Sequence, residues 1–162
     1  MLPAESWDMI RARQRRATFS RTKVSTKRKQ GILDRRERVY GAFGEFLGDF
    51  IRDLNHLSEE GWTVLVEGPR DVRAMRKLGY LGALATVGAA GREGTAAFGG
   101  TRKVVILTDL DREGSLLASR CVRQLSHEGL KVSLSERRRL KAASRGVFLH
   151  VENLGRFGQI EE

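Results

Sequence analysis

Large apolar side chains are nearly absent from residues 11–31, recur at helical spacing over 35–58, and after Trp62 gather into short runs punctuated by glycine. Over 35–58, Val39, Phe43, Phe46, Leu47, Phe50, Ile51, Leu54 and Leu57 return every three or four positions, which predicts one amphipathic helix. Asp34, followed three residues later by Glu37, has the arrangement of a capping box. Gly41, Gly44 and Gly48 share one side of that helix; each costs helix stability, so together they suit the close approach of another element. The phenylalanine stripe is read as packing on the body of the domain or on a second copy.

Beyond Trp62 the period changes. Thr63–Val66, Ala83–Val87, Val104–Thr108, Leu130–Leu134 and Val147–Val151 are short apolar runs of strand character. Between them, 70–78, 113–127 and roughly 136–144 carry helical patterns, stopped by Gly79, Gly129 and Gly146. A glycine-rich stretch occupies 88–100. Val104–Thr108 is continuously apolar, as in a strand buried on both faces. The alternation predicts an α/β domain whose mainly parallel sheet is flanked by helices. The expected divisions are a basic N-terminal arm at 1–34, disordered when free, an amphipathic helix at 35–58, the α/β domain at 60–155 and a tail at 156–162.

Charge changes this picture at one end only. Residues 11–40 hold twelve lysines and arginines against two acids, which accounts for the whole formal net charge of +10. Arg11, Arg13, Arg15, Arg16, Arg21, Lys23, Lys27, Arg28, Lys29, Arg35 and Arg36 are therefore expected to meet nucleic-acid phosphates, with counterion release driving affinity. The alternative is a solvated tail; twelve bases in thirty residues exceed a solubility need. Membrane lipid is disfavoured because the arm has no apolar face, and no apolar run reaches the length of about 20 residues needed for a span. One cysteine, Cys121, excludes a disulfide framework, and His56, His127 and His150 are far apart in sequence with no metal-ligand spacing. The protein is read as soluble and cytoplasmic.

Two segments carry candidate chemistry: V-L-V-E-G-P-R-D-V (64–72) and V-V-I-L-T-D-L-D-R-E-G (104–114). Each places carboxylates where an apolar strand stops, the edge of a parallel sheet where ligands bind. Asp109, Asp111 and Glu113 alternate, so in an extended chain all three would point the same way, with Glu67 as a fourth acid. Such anions repel one another unless a cation sits among them, and carboxylate oxygens are ligands of Mg²⁺, or of Mn²⁺ in its place. Gly68 and Gly114 suit tight exits from the strands. The same acids could instead cap the helices that follow.

The pair of motifs resembles the Toprim domain shared by type IA topoisomerases, bacterial primases, gyrase-type subunits and the ribonuclease that matures bacterial 5S rRNA. T-D-L-D-R-E-G (108–114) is similar to the topoisomerase form, and E-G-x-x-D-V (67–72) to the primase form. Gly88 is similar to a glycine at the same place in primases. The length and the R-R-R-L…V-E-N-L-G-R-F stretch most resemble small stand-alone archaeal Toprim proteins. The resemblance implies a Toprim (Rossmann-like) fold, with Glu67 as general acid/base, Asp109, Asp111 and Glu113 as metal ligands, Arg112 as a phosphate contact and Asp71 holding the first loop. Pro69 stands where small Toprim proteins often have lysine, and Ser115 where topoisomerases often have a further glutamate. The large topoisomerase domains and the primase zinc domain are not evident. Arg137, Arg138 and Arg139 read either as added nucleic-acid-binding surface or as a charged helix face.

The expected function is Mg²⁺-dependent cleavage of structured RNA such as rRNA, by an endoribonuclease-like hydrolase. Two alternatives stay open: a non-catalytic rRNA-binding factor seated on a ribosomal subunit, and nucleotidyl transfer or repair on DNA. The pattern sets no oligomeric state.

Overall fold

A computed structural model describes residues 7–158, with side chains described for 28–32 and 34–158. The chain divides after Ala42 into two compact units. Helix α1, Trp7–Glu59, runs through both, so the helix expected over 35–58 is the C-terminal part of a longer one. In the first unit every described side chain, Arg28, Lys29, Arg35 and Arg36 among them, is exposed. The side chains of Arg11, Arg13, Arg15, Arg16, Arg21, Lys23 and Lys27 lie outside the described residues, as do residues 159–162 of the expected tail.

The second unit alternates strand and helix: β1 Trp62–Val66, α2 Pro69–Lys77, β2 Leu84–Thr86, α3 Val87–Glu93, β3 Lys103–Ile106, α4 Arg112–His127, β4 Lys131–Ser133 and α5 Ser135–Ser144. Two 3-10 segments, Gly94–Phe98 and Val151–Phe157, complete it. All four strands are parallel, in the order β2-β1-β3-β4. β1 and β3 are neighbours in register, Leu65 opposite Ile106. From β1 the chain steps first to one side (β2) and then to the other (β3), so the strand order reverses between the two central strands. That reversal is where an open α/β sheet offers a crevice at its carboxyl edge.

Strand alternation divides the core. Val64, Val66, Val105 and Leu107 face one cluster with Phe43, Leu47, Phe50, Ile51 and Leu54 of α1 and Leu140 of α5. Leu65, Val104 and Ile106 face the other, with Phe98, Ala118 and Leu125. Each such large side chain removed from water contributes about 2 kcal/mol. The phenylalanine stripe is thus core from Phe43 onward, while Val39 is exposed.

One stretch without a predicted element gains one, and one expected strand is absent. The glycine-rich stretch is largely helical, because the Thr86 hydroxyl accepts from Ala89 N at 3.1 Å and caps α3. Gly99 and Gly100, at φ 59° and 87°, then turn the chain towards β3. Val147–Val151 is not a strand. It makes a single backbone bond towards the sheet, Leu110 N to Leu149 O at 2.7 Å. The next donor, Val151 N, goes to the Asp109 carboxylate instead of a backbone carbonyl, so no ladder propagates. Among the described residues no helix is long and apolar enough to cross a membrane.

Candidate metal centre

The short exit from β1 is held by its own residues. Gly68 precedes α2, and its N–H donates to Asp71 Oδ2 at 3.0 Å. Asp71 N and Val72 N donate back to Gly68 O at 3.1 and 3.2 Å. Asp71 is buried, and that burial pushes its carboxyl above the usual range. Glu67, one residue ahead of this turn, reaches across to β3, where its Oε1 accepts from Asp109 N at 3.0 Å. Burial raises the Glu67 carboxyl, and the negative charges of Asp109, Asp71 and Asp111 add to the effect.

The exit from β3 is not extended as far as Glu113: α4 begins at Arg112, and Glu113 lies in its first turn. Asp111 Oδ1 accepts from Gly114 N at 2.7 Å, so this acid does cap the helix. Asp109 Oδ1 accepts from Val151 N at 2.8 Å, and its Oδ2 lies 3.0 Å from His150 Nδ1. Asp111 Oδ2 is 3.8 Å from the same nitrogen. The hydrogen bond to Asp109 raises the His150 pKa. Gly114 is required here, since a Cβ would fall 1.9 Å from Asp109 O.

Beneath this loop lies Arg137. Its Nε donates to Thr108 O and Thr108 Oγ1 at 3.3 and 3.1 Å, and its Nη2 donates to Asp109 O and to Ser115 Oγ. The residue is only 7% exposed, so it braces the acidic loop and is not the nucleic-acid-facing side chain expected from the sequence. Burial lowers its pKa, while the charges of Asp111, Glu67 and Asp109 oppose that shift. Arg139 pairs with Asp53 and lies over the Phe46 and Phe50 rings at 5.4 and 5.7 Å; Arg138 is exposed.

Glu67, Asp109, Asp111 and Glu113 all line one cavity of about 370 Å³, together with Gly114 and Arg120. Asp109 and Asp111 of this wall, together with His150, which is not among the lining residues, each offer a ligand atom within 4.8 Å of the others. The four carboxylates suit a hard divalent cation, and the imidazole beside Asp109 and Asp111 is a donor that also suits a transition metal. Arg112 is exposed and does not line this cavity; Arg120, one face further along α4, does. Gly88 sits exposed in the first turn of α3, apart from the cavity wall. His150 was invisible in the sequence, because it lies 41 residues from Asp109 and no local spacing marks it.

The chain is similar to known proteins over this same region. Residues 62–135 match the model of the Toprim domain. A UPF0292 protein of Archaeoglobus fulgidus is 34% identical over 107 residues, covering 66% of this chain and 85% of its own. A UPF0292 protein of Methanosarcina barkeri is 35% identical over 120 residues, covering 72% and 82%. A solved structure of a protein from Aquifex aeolicus superposes with a TM-score of 0.52 at 24% identity, covering 65% of this chain and 94% of that one. The last likeness bears on the fold alone.

Proposed function

The chain belongs to the Toprim-domain proteins, among those of the UPF0292 group, and on that premise we propose that it is a Mg²⁺-dependent endonuclease of structured RNA. Membership brings a metal-dependent role in nucleic-acid processing and no more; Mg²⁺, RNA and hydrolysis are our reading. The observation that carries it is the convergence of Glu67, Asp109, Asp111 and Glu113 on one cavity from two adjacent strand ends. RNA is preferred to DNA on the resemblance of the chain as a whole to small stand-alone Toprim proteins and the Toprim ribonuclease, since the motifs themselves are similar to topoisomerase and primase forms.

In this reading Asp109 and Asp111 hold the cation, with Glu113 and His150 beside them. Held there, a divalent ion would supply Lewis acidity towards a phosphoryl oxygen and a water. Glu67 transfers the proton, either to the leaving oxygen or from the nucleophile, and its hydrogen bond from Asp109 N fixes it against the metal loop. Arg120 takes the place expected of Arg112 as the cation facing the phosphate. The basic part of α1 adds affinity that is independent of sequence.

Cleavage should be compared on a 5S-like RNA, single-stranded DNA and duplex DNA, with and without Mg²⁺. RNA should be cut only with the ion present. Glu67→Ala and Asp109→Asn should each abolish cutting while leaving thermal unfolding cooperative; full activity in either would sink the mechanism. The basic segment favours a second reading, a non-catalytic factor on rRNA. Co-sedimentation with ribosomal subunits, combined with no cutting of any substrate, selects it. Cutting confined to DNA selects nucleotidyl transfer or repair.

A further inference from the structure

A second cavity, of about 420 Å³, lies between α2 and the 3-10 segment Val151–Phe157. Arg70, Arg73 and Lys77 line it from α2 and Arg156 from the 3-10 segment, against one carboxylate, Glu152. The α2 cations are spaced i, i+3, i+7, so they share one helix face and extend over about 10 Å. Two glycines set the width of the cleft. A Cβ at Gly158 would fall 2.4 Å from Lys77 O, and one at Gly155 would fall 3.3 Å from Ala74 Cα. The two backbones meet directly, and the long cationic side chains stand above the contact.

Of these cations only Arg156 has a side-chain hydrogen bond among the described residues, and their neighbours are more heavily engaged. Arg76, on another face of α2, donates Nη1 to Tyr80 O and Gly82 O at 2.9 Å each. Arg137 and Arg139 are committed to the acidic loop and to Asp53. Arg73 and Lys77 form no ion pair among the described residues, and Arg70 has only a 3.8 Å contact with Glu152. Arg156 is held by its Nε bond to Asn153 O at 3.0 Å and lies 5.9 Å over the Phe148 ring. Four positive groups facing one negative group repel one another, and a polyanion relieves that repulsion.

Each wall of the cleft is joined by a short stretch of chain to the acidic site. Arg70 follows Glu67 by three residues, and Glu152 directly follows Val151, whose N–H bonds Asp109. We propose that the cleft is the track for the sugar-phosphate backbone of a single RNA strand leaving the acidic site. Over about 10 Å the α2 cations would reach about two successive phosphates of one strand. The inference rests on the nucleic-acid reading above but not on catalysis.

The test uses the full chain, a labelled single-stranded oligoribonucleotide and fluorescence anisotropy in EDTA, so that no cutting occurs. Arg73→Gln/Lys77→Gln should weaken binding about tenfold and reduce the slope of log affinity against log salt by about 1.4, for two lost phosphate contacts. Arg92→Gln/Arg123→Gln, two exposed cations elsewhere, should change affinity less than threefold. A 4-thiouridine oligonucleotide should crosslink to peptides from α2 or from 150–157. Equal losses in the two double variants, or crosslinks confined to α1, would overturn the track. Equal loss on duplex RNA would overturn its single-strand character. Cleavage with Mg²⁺ is read separately: a wild-type chain that cuts nothing removes the nuclease reading, and the anisotropy still decides the cleft.

Discussion

Between β1 and α2 the chain spends two residues, Glu67 and Gly68; between β3 and α4 it spends five, Leu107–Asp111. The shorter exit closes on itself through Gly68 and Asp71. The longer one has local bonds too, from Gly114 N and from Ser115 N and Oγ to Asp111, and from Thr108 Oγ1 to Gly114 O. The Asp109 at its centre, however, is held by Arg137, His150 and Val151, which lie 28 to 42 residues away. The backbone that carries Glu67 is therefore set by local chain geometry, although its carboxylate is held by Asp109 N, while the Asp109 carboxylate is placed by the finished tertiary fold. Each exit also carries a glycine after its acids, and the two glycines differ in the same way. Gly114 packs against backbone, whereas nothing lies within 4 Å of a Cβ built on Gly68.

Substitutions can break this contrast. The largest effect is expected for Gly114→Ala, whose Cβ would collide with the Asp109 carbonyl. It should cost about 3 kcal/mol, a fall in Tm of about 6–12 °C, and cleavage should be lost with it. A smaller effect is expected for Arg137→Met, which strips donors from the carbonyls of Thr108 and Asp109. It should cost about 2 kcal/mol in chemical denaturation and weaken Mn²⁺ binding, read by calorimetry, about tenfold. Unchanged metal affinity would show that the loop does not need its brace. The smallest is expected for Gly68→Ala. Its φ of −156° is extended backbone open to any residue, so stability should stay within about 0.5 kcal/mol. A loss matching that of Gly114→Ala would erase the distinction between the exits.

The same contrast explains what the sequence made legible. Strands β1 and β3, the acids at their ends and the parallel α/β class follow from short-range signals: apolar runs, glycine punctuation and carboxylates placed at run ends. Long-range pairings leave no such mark. Arg137 reads as one of three arginines on a charged helix, and only the fold turns it inward while Arg138 stays in water. His150 reads as an isolated histidine until the last 3-10 segment lays it against Asp109. The run Val147–Val151 has strand composition, but its amide at Val151 is claimed by a side chain, an outcome that no propensity encodes. The stretch 88–100 shows only its glycines in the sequence, and the helix that begins there is capped by the Thr86 hydroxyl.

The dependence of Asp109 on Arg137, His150 and Val151 also has a consequence in time. A nascent chain that has emerged only through residue 135 already displays all four acids and the full stretch matched as Toprim. It lacks every distant donor that orients Asp109. A growing polypeptide on the ribosome thus carries the four acids well before it has the donors that align Asp109, and synthesis itself sets the order in which the loop is completed.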